Sequence, residues 1–155
     1  MLEDVFNEIY TKFKLNFYRG IFERLQERES SLSASEAYAV EVIYALHEPT
    51  ISQFADFLQI SQPNATYKVN TLIRKGYIDK INSSTDRREY HLSPTSKFWK
   101  YYAINQNYIN TVMQRIHARF SQEETKQLER MLHIISQELM PENKGELFFH
   151  KEDLV

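Results

Sequence analysis

The stretch from Pro49 to Leu92 constrains this 155-residue chain more than any other. It reads PTISQFADFLQISQPNATYKVNTLIRKGYIDKINSSTDRREYHL. Ile51, Phe54, Ala55 and Leu58 recur at threes and fours, which predicts a short amphipathic helix capped by Thr50. Gln59-Ile60 forms a turn, and Ser61 caps a second helix over residues 61–75. Pro63 falls in its first turn, where a missing amide does no harm, and Gly76 ends it as a left-handed terminator. Tyr77 to Ile81 and Glu89 to Leu92 then read as two short strands joined by a polar turn over 82–88. Two short helices about a sharp turn, followed by a hairpin, are the order of a helix-turn-helix with a β-wing.

A wheel of 100° per residue divides the second helix into two faces. Ala65, Val69, Leu72 and Ile73 fall together and are expected to face the core. The other side carries Pro63, Asn64, Tyr67, Asn70, Thr71 and Arg74, with Gln62 at the tip and Lys68 on the flank. This surface has no acid, whereas a solvated helix face usually mixes in Asp or Glu. Asn and Gln side chains can pair bidentately with adenine, hydroxyls can bond bases or phosphates, and Lys and Arg neutralise phosphates. The helix N-terminus adds amide donors and partial positive charge. The residues expected to contact double-stranded DNA are Ser61, Gln62, Asn64, Thr66, Tyr67, Lys68, Asn70, Thr71 and Arg74, with Arg87 and Arg88 from the wing. An arginine at a wing tip gains from the negative potential of a narrow minor groove, and Asp86 is placed to orient the fork of Arg88.

The overall formal charge of −2 opposes nucleic-acid binding, but its distribution does not. Residues 61–90 hold six basic and three acidic side chains, +3 locally, leaving −5 for the remainder.

Helices are expected on either side. Phe6, Ile9, Tyr10, Phe13, Phe17, Ile21 and Leu25 mark one over 3–29, read either as core or as a face shared with a second subunit. Ser33-Ala34-Ser35-Glu36 is a capping box opening a helix to about His47, with Ala37, Val40, Ile43 and Tyr44 inward. From Thr95 a long helix runs to about Phe120, and a second capping box, Ser121 to Glu124, opens a last one to Met140. Three glycines and four prolines are few enough to favour long helices. The expected architecture is mainly α with a small β-wing, a single domain over 1–155. Its winged core spans about 33–92, its flanking helices about 3–29 and 95–140, and it has a tail over 141–155.

The absence of cysteine excludes disulfides, thiolate zinc and a cysteine nucleophile. No histidine pair among residues 47, 91, 117, 133 and 150 has the i, i+3 or i, i+4 spacing of metal ligands, and neither a metal nor another cofactor is expected. No G-x-S-x-G, Walker or H-E-x-x-H motif occurs, so an enzyme is not expected. The N-terminus has early acids and no apolar h-region, and no run approaches a membrane span, so a cytoplasmic protein without membrane contact is expected.

The chain resembles the MarR family of transcriptional regulators over about residues 5–140. The resemblance rests on LSASEAYAVEVIYAL, on TISQFADFLQISQPNATYKVNTLIRKGYI, and on Asp86-Arg87-Arg88 before His91-Leu92-Ser93. It implies a homodimer joined by its first and last helices, most often a repressor, whose two reading helices face a pseudo-palindrome. It also implies a small phenolic or lipophilic effector in a cleft between the dimer arms and the reading unit. Tyr10, Phe13, Phe17, Tyr38, Tyr44, Trp99, Tyr101 and Tyr102 are candidates to line that cleft, against plain core packing for each. The family commonly has Leu-Thr-x-x-Gly after the second strand. Here Leu92-Ser93-Pro94-Thr95-Ser96 stands instead, which leaves the start of the long helix open. The competing reading is a winged-helix module that binds protein through the same surface.

Overall fold

Five helices begin at a serine or threonine whose side chain accepts a hydrogen bond from the amide three residues on. The computed structural model describes residues 1–24, 32–83 and 89–141. In chain order the elements are α1 (Leu2–Arg24), α2 (Ala34–Ala45), α3 (Ile51–Leu58), α4 (Gln62–Arg74), β1 (Ile78–Asn82), β2 (Tyr90–Pro94), α5 (Ser96–Arg119) and α6 (Gln122–Glu138). Ser33, Thr50 and Ser121 form full capping boxes with Glu36, Gln53 and Glu124. Such caps satisfy amides that a helix start leaves unpaired, so these boundaries follow from local chemistry.

Left-handed residues follow the ends of α2, α3 and α4. Gly76 has φ +81°, its amide donates to Ile73 and that of Tyr77 to Leu72, which closes α4 in a Schellman turn. Because the Tyr77 amide is used there, β1 starts at Ile78, one residue later than its side-chain pattern suggests. Gln59 does the same for α3 at φ 54°, with the Ile60 amide on Ala55 and its own Nε2 donating to the Asp56 carbonyl at 2.7 Å. After α2, His47 and Glu48 both take positive φ, 52° and 48°, so the helix ends at Ala45 instead of about His47.

Those two strained residues are held by the wing. His91 Nδ1 donates to the Glu48 carbonyl at 2.7 Å, and the Leu92 amide donates to the Pro49 carbonyl at 2.9 Å. The strands pair antiparallel, with Ile78 opposite Pro94, Lys80 opposite Leu92 and Asn82 opposite Tyr90. β2 thus continues to Pro94, two residues past the expected Leu92. Thr95 then settles where the long helix begins. Its Oγ1 accepts from the Phe98 amide and also bonds the Gly76 carbonyl at 2.6 Å, tying the first turn of α5 to the end of α4.

The core lies between these elements. Phe54, Phe98, Ile43, Leu72, Ile78, Leu92, Val40 and Val69 are all fully buried. On α4, Ala65, Val69 and Leu72 are inside as expected, while Ile73 is only partly covered at the edge. Of the expected inward residues of α3, Phe54 and Ala55 are buried and Ile51 and Leu58 half-buried. Tyr44 of α2 packs against Phe98, Trp99 and Tyr102 at centroid separations of 5.4, 5.4 and 4.6 Å. This aromatic cluster fixes the first turns of α5 to the winged core. Burial and the hydrogen bond to Tyr44 push the Tyr102 phenol well above its ordinary pKa.

Beyond the cluster the character changes. α6 has no buried residue, although Met131 and Leu132 project from it and Leu139 stands exposed at its C-cap. Phe6 and Ile9 of α1 are 57% and 50% exposed, and Met113 of α5 and Phe120 at its C-cap are also uncovered. The expected extension of α1 over 25–29 and the tail over 142–155 lie outside the described residues.

Candidate nucleic-acid interface

Burying Ala65, Val69 and Leu72 forces the opposite side of α4 outward. Gln62, Pro63, Asn64, Tyr67, Asn70 and Arg74 all lie on the exposed surface, and Tyr67 is 71% exposed. Ser61, at the cap, is exposed as well, while Thr66, Lys68 and Thr71 are half-buried. The face therefore presents two Asn, one Gln, one Tyr and one Arg to solvent with no carboxylate among them.

The hydrogen bonds sort the candidates further. The Thr66 hydroxyl donates to the Gln62 carbonyl at 2.9 Å and that of Thr71 to the Tyr67 carbonyl at 3.0 Å. Both hydroxyls spend their proton within the helix and keep only acceptor capacity. Arg74 reaches Thr71 Oγ1 at 3.4 Å, and Lys68 Nζ donates to Ser35 Oγ of α2 at 3.3 Å. Ser61 Oγ takes the Asn64 amide, and Pro63 has none, so among the first three helical residues Gln62 alone offers an amide to an incoming anion. Asn64, Tyr67 and Asn70 are the side chains that best match the expected reading role. Asp86, Arg87 and Arg88 of the wing lie outside the described residues. β1 follows directly from the turn at Gly76 that ends α4.

Position is held from behind by charge. Glu36, the third residue of α2, accepts from the Ser33 amide at 2.7 Å and from Lys75 Nζ at 2.6 Å with the same Oε2. Burial opposes ionisation of Glu36, but the Lys75 ammonium and the Ser33 amide outweigh it and hold the carboxyl below its usual value. Lys97 Nζ donates to the Lys75 carbonyl at 2.8 Å and stands 4.7 Å from the Tyr77 ring centroid. Sequence reasoning placed Glu36 in its capping box but missed Lys75, because the two are 39 residues apart.

A second feature is a cavity of about 390 Å³ between α1, α2 and α5, lined by Tyr10, Phe13, Phe17, Tyr38, Tyr108 and Lys14 among others. Phe17 stacks on Tyr38 at 6.2 Å and Phe13 meets Tyr108 edge-on at 5.6 Å. The eight aromatics expected in one cleft divide into two groups. Tyr10, Phe13, Phe17 and Tyr38 line this cavity, whereas Tyr44, Trp99, Tyr101 and Tyr102 belong to the core cluster with Phe98. Residues 38 and 44 of α2 point in different directions, and only Tyr38 reaches α1. Among the described residues, no group of three or more His, Asp or Glu gathers as metal ligands, and no helix is long and apolar enough to cross a membrane.

A helix-turn-helix, an antiparallel wing and long flanking helices define a winged helix-turn-helix protein. Residues 30–89 match the model of the MarR family. Several solved structures share the fold over nearly the whole chain. Streptococcus pneumoniae FabT in complex with DNA is 24% identical, with a TM-score of 0.60 covering 90% of this chain and 96% of that one. The transcriptional regulator Tm0710 of Thermotoga maritima is 17% identical, with a TM-score of 0.61 and coverage of 92% and 95%. S. aureus MepR bound to ethidium bromide is 18% identical, with a TM-score of 0.58 and coverage of 88% and 94%. A search of curated protein sequences gives no match.

Proposed function

We propose that this chain is a dimeric, sequence-specific DNA-binding transcriptional regulator of the cytoplasm, acting as a repressor. α4 reads base edges in the major groove, and the wing over 82–88 contacts the adjacent minor groove. The observation that carries this reading is the exposed, acid-free face of α4, with Asn64, Tyr67 and Asn70 at its centre. The match of residues 30–89 to the MarR family model and the likeness to FabT, which was solved with DNA, support it. Pairing with a second copy is supported by the uncovered apolar side chains of α1, α5 and α6, which a soluble monomer rarely exposes so densely. Dimer symmetry then sets two half-sites about one helical turn apart, roughly 10 base pairs.

The aromatic cavity is the site proposed for a small lipophilic or phenolic effector. Its rings supply stacking surface, and the Lys14 ammonium, 4.9 Å from the Tyr10 ring centroid, supplies one cation at the wall. MepR, a structural neighbour, was solved with a flat aromatic compound, ethidium.

The reading is tested by selecting duplexes from a random pool with the purified protein and measuring their affinity as salt is raised. Enrichment of a two-fold symmetric sequence with steeply salt-dependent binding is expected. Absence of enrichment in low salt, with the protein folded, sinks it.

A further inference from the structure

Apolar packing sets which side of α4 faces outward but does not by itself fix the helix to within a few degrees. Ala65, Val69 and Leu72 are small or rounded, and the attraction that buries them is non-directional. A helix that reads base edges needs its side chains held within about 0.5 Å and 10–20° of the productive geometry. Directional contacts must supply that restraint.

We propose that the Glu36–Lys75 pair is the positioning device of the reading helix, locking the rotation of α4 against the first turn of α2. This rests on the reading of α4 as the DNA-contact helix. The carboxylate is already immobile before it meets Lys75. It is the third residue of a capping box, its Oε2 bonded to the Ser33 amide at 2.7 Å while the Glu36 amide donates to Ser33 Oγ at 3.3 Å. Both partners are largely covered, with side-chain exposures of 20% for Glu36 and 29% for Lys75. Solvent therefore screens the pair less than a surface bridge, and little side-chain entropy is lost when it forms.

Lys75 sits at the C-cap of α4, where a cation complements the helix dipole and where a displacement swings the whole reading face. Its backbone carbonyl is gripped from the other side by Lys97 of α5. Lys68, two turns earlier, leans on Ser35, the neighbour of Glu36. Lys68 of α4 and Lys75 at its C-cap thus converge on consecutive residues of α2. Lys68 and Lys75 belong to the basic excess of residues 61–90, but their ammonium groups face α2 and act as struts in place of phosphate contacts.

The sign of one substitution separates this role from bulk electrostatics. Glu36→Gln keeps an oxygen able to accept from the Ser33 amide, and it removes one negative charge beside a DNA-binding surface. Simple charge arithmetic makes that variant bind DNA more tightly. The positioning role makes it bind a specific site more weakly.

The test uses the full chain, a duplex selected by the wild type from a random pool, and a scrambled duplex of equal length. Glu36→Gln and Lys75→Met are each expected to lower affinity for the selected duplex about tenfold, with less than a twofold change for Glu36→Gln on the scrambled one. Circular dichroism and melting verify that each variant folds. Hydrogen exchange of the amides from Thr71 to Lys75, measured without DNA, is expected to speed up at least threefold in both variants. Equal or tighter specific binding by folded Glu36→Gln overturns the proposal, as does unchanged exchange in α4. If the wild type selects no duplex, the DNA reading fails, and the exchange measurement still decides whether the pair restrains α4.

Discussion

Tyr38 stacks on Phe17 at 6.2 Å with an interplanar angle of 25°, and two residues earlier on the same helix Glu36 holds Lys75 at 2.6 Å. α2 therefore forms a wall of the aromatic cavity and, within one turn, the seat of α4. The cavity and the seat of α4 thus share one helix. Phe17→Ala and Tyr38→Ala each remove one ring of this stack. Each is expected to weaken binding of a planar aromatic probe such as ethidium by about 0.5–1.5 kcal/mol, read by fluorescence titration. Affinities equal to wild type would remove the cavity as the effector site.

Asn64→Ala and Tyr67→Ala delete side chains that the fold leaves in solvent, so neither change disturbs the core. Selection from random DNA is expected to show relaxed preference at one or two positions per half-site. The cost on the original site is roughly 1–3 kcal/mol where a base contact is lost. Arg74→Ala is expected to weaken binding to all sequences and lower the salt slope by about 1. Arg88→Ala in the wing should also weaken binding broadly.

Leu132 of α6 and Leu139 at its C-cap are 50% and 66% exposed, and Phe6 of α1 is as open. Placing a charge in a buried subunit contact costs several kcal/mol. Leu132→Glu is therefore expected to shift sedimentation from dimer toward monomer while the helical circular dichroism of the winged core persists. A variant as dimeric as the wild type would move the interface away from α6.

The ion pair also makes a pH prediction. The Glu36 carboxyl lies below its ordinary value in the folded chain, so folding favours its ionised form. That contribution is fully present above the unfolded carboxyl pKa of about 4.3 and is lost as pH falls through the lower folded value. Wild type minus Glu36→Gln stability should be constant near neutrality and shrink in this acid range, as followed by urea melts from pH 6 to 3. A difference that grows on acidification would contradict the arrangement.

Much of the winged core was legible because its signals are local. Ser33, Thr50, Ser61, Ser121 and Gly76 each announce a helix boundary through chemistry within three or four residues, and each acts as read. The left-handed residues His47 and Glu48 were not legible, since neither is glycine and the bond on Glu48 comes from β2, whereas the turn at Gln59-Ile60 was read and is closed by local bonds to Ala55 and Asp56. Thr95 resolves the unusual Leu-Ser-Pro-Thr-Ser run, as it serves both α5 and the end of α4. The aromatic residues were recognisable as a class but not as two groups. Whether a ring of α2 or α5 joins the core or the cavity depends on which helix crosses it, which periodicity does not encode. The Glu36–Lys75 and Lys68–Ser35 contacts span 39 and 33 residues and emerge only from the packing of α2 on α4.

The central claim is that the acid-free face of α4 reads DNA as one half of a symmetric pair. Footprinting the wild type and Tyr67→Ala on a duplex selected from random sequence tests it most directly. Two protected major-groove segments are expected, with centres about 10 base pairs apart. Protection is expected to weaken with salt, and Tyr67→Ala to change the preferred bases within both segments alike. A folded protein that leaves the duplex unprotected at low salt, or a footprint indifferent to Tyr67, Asn64 and Arg74 alike, would contradict it.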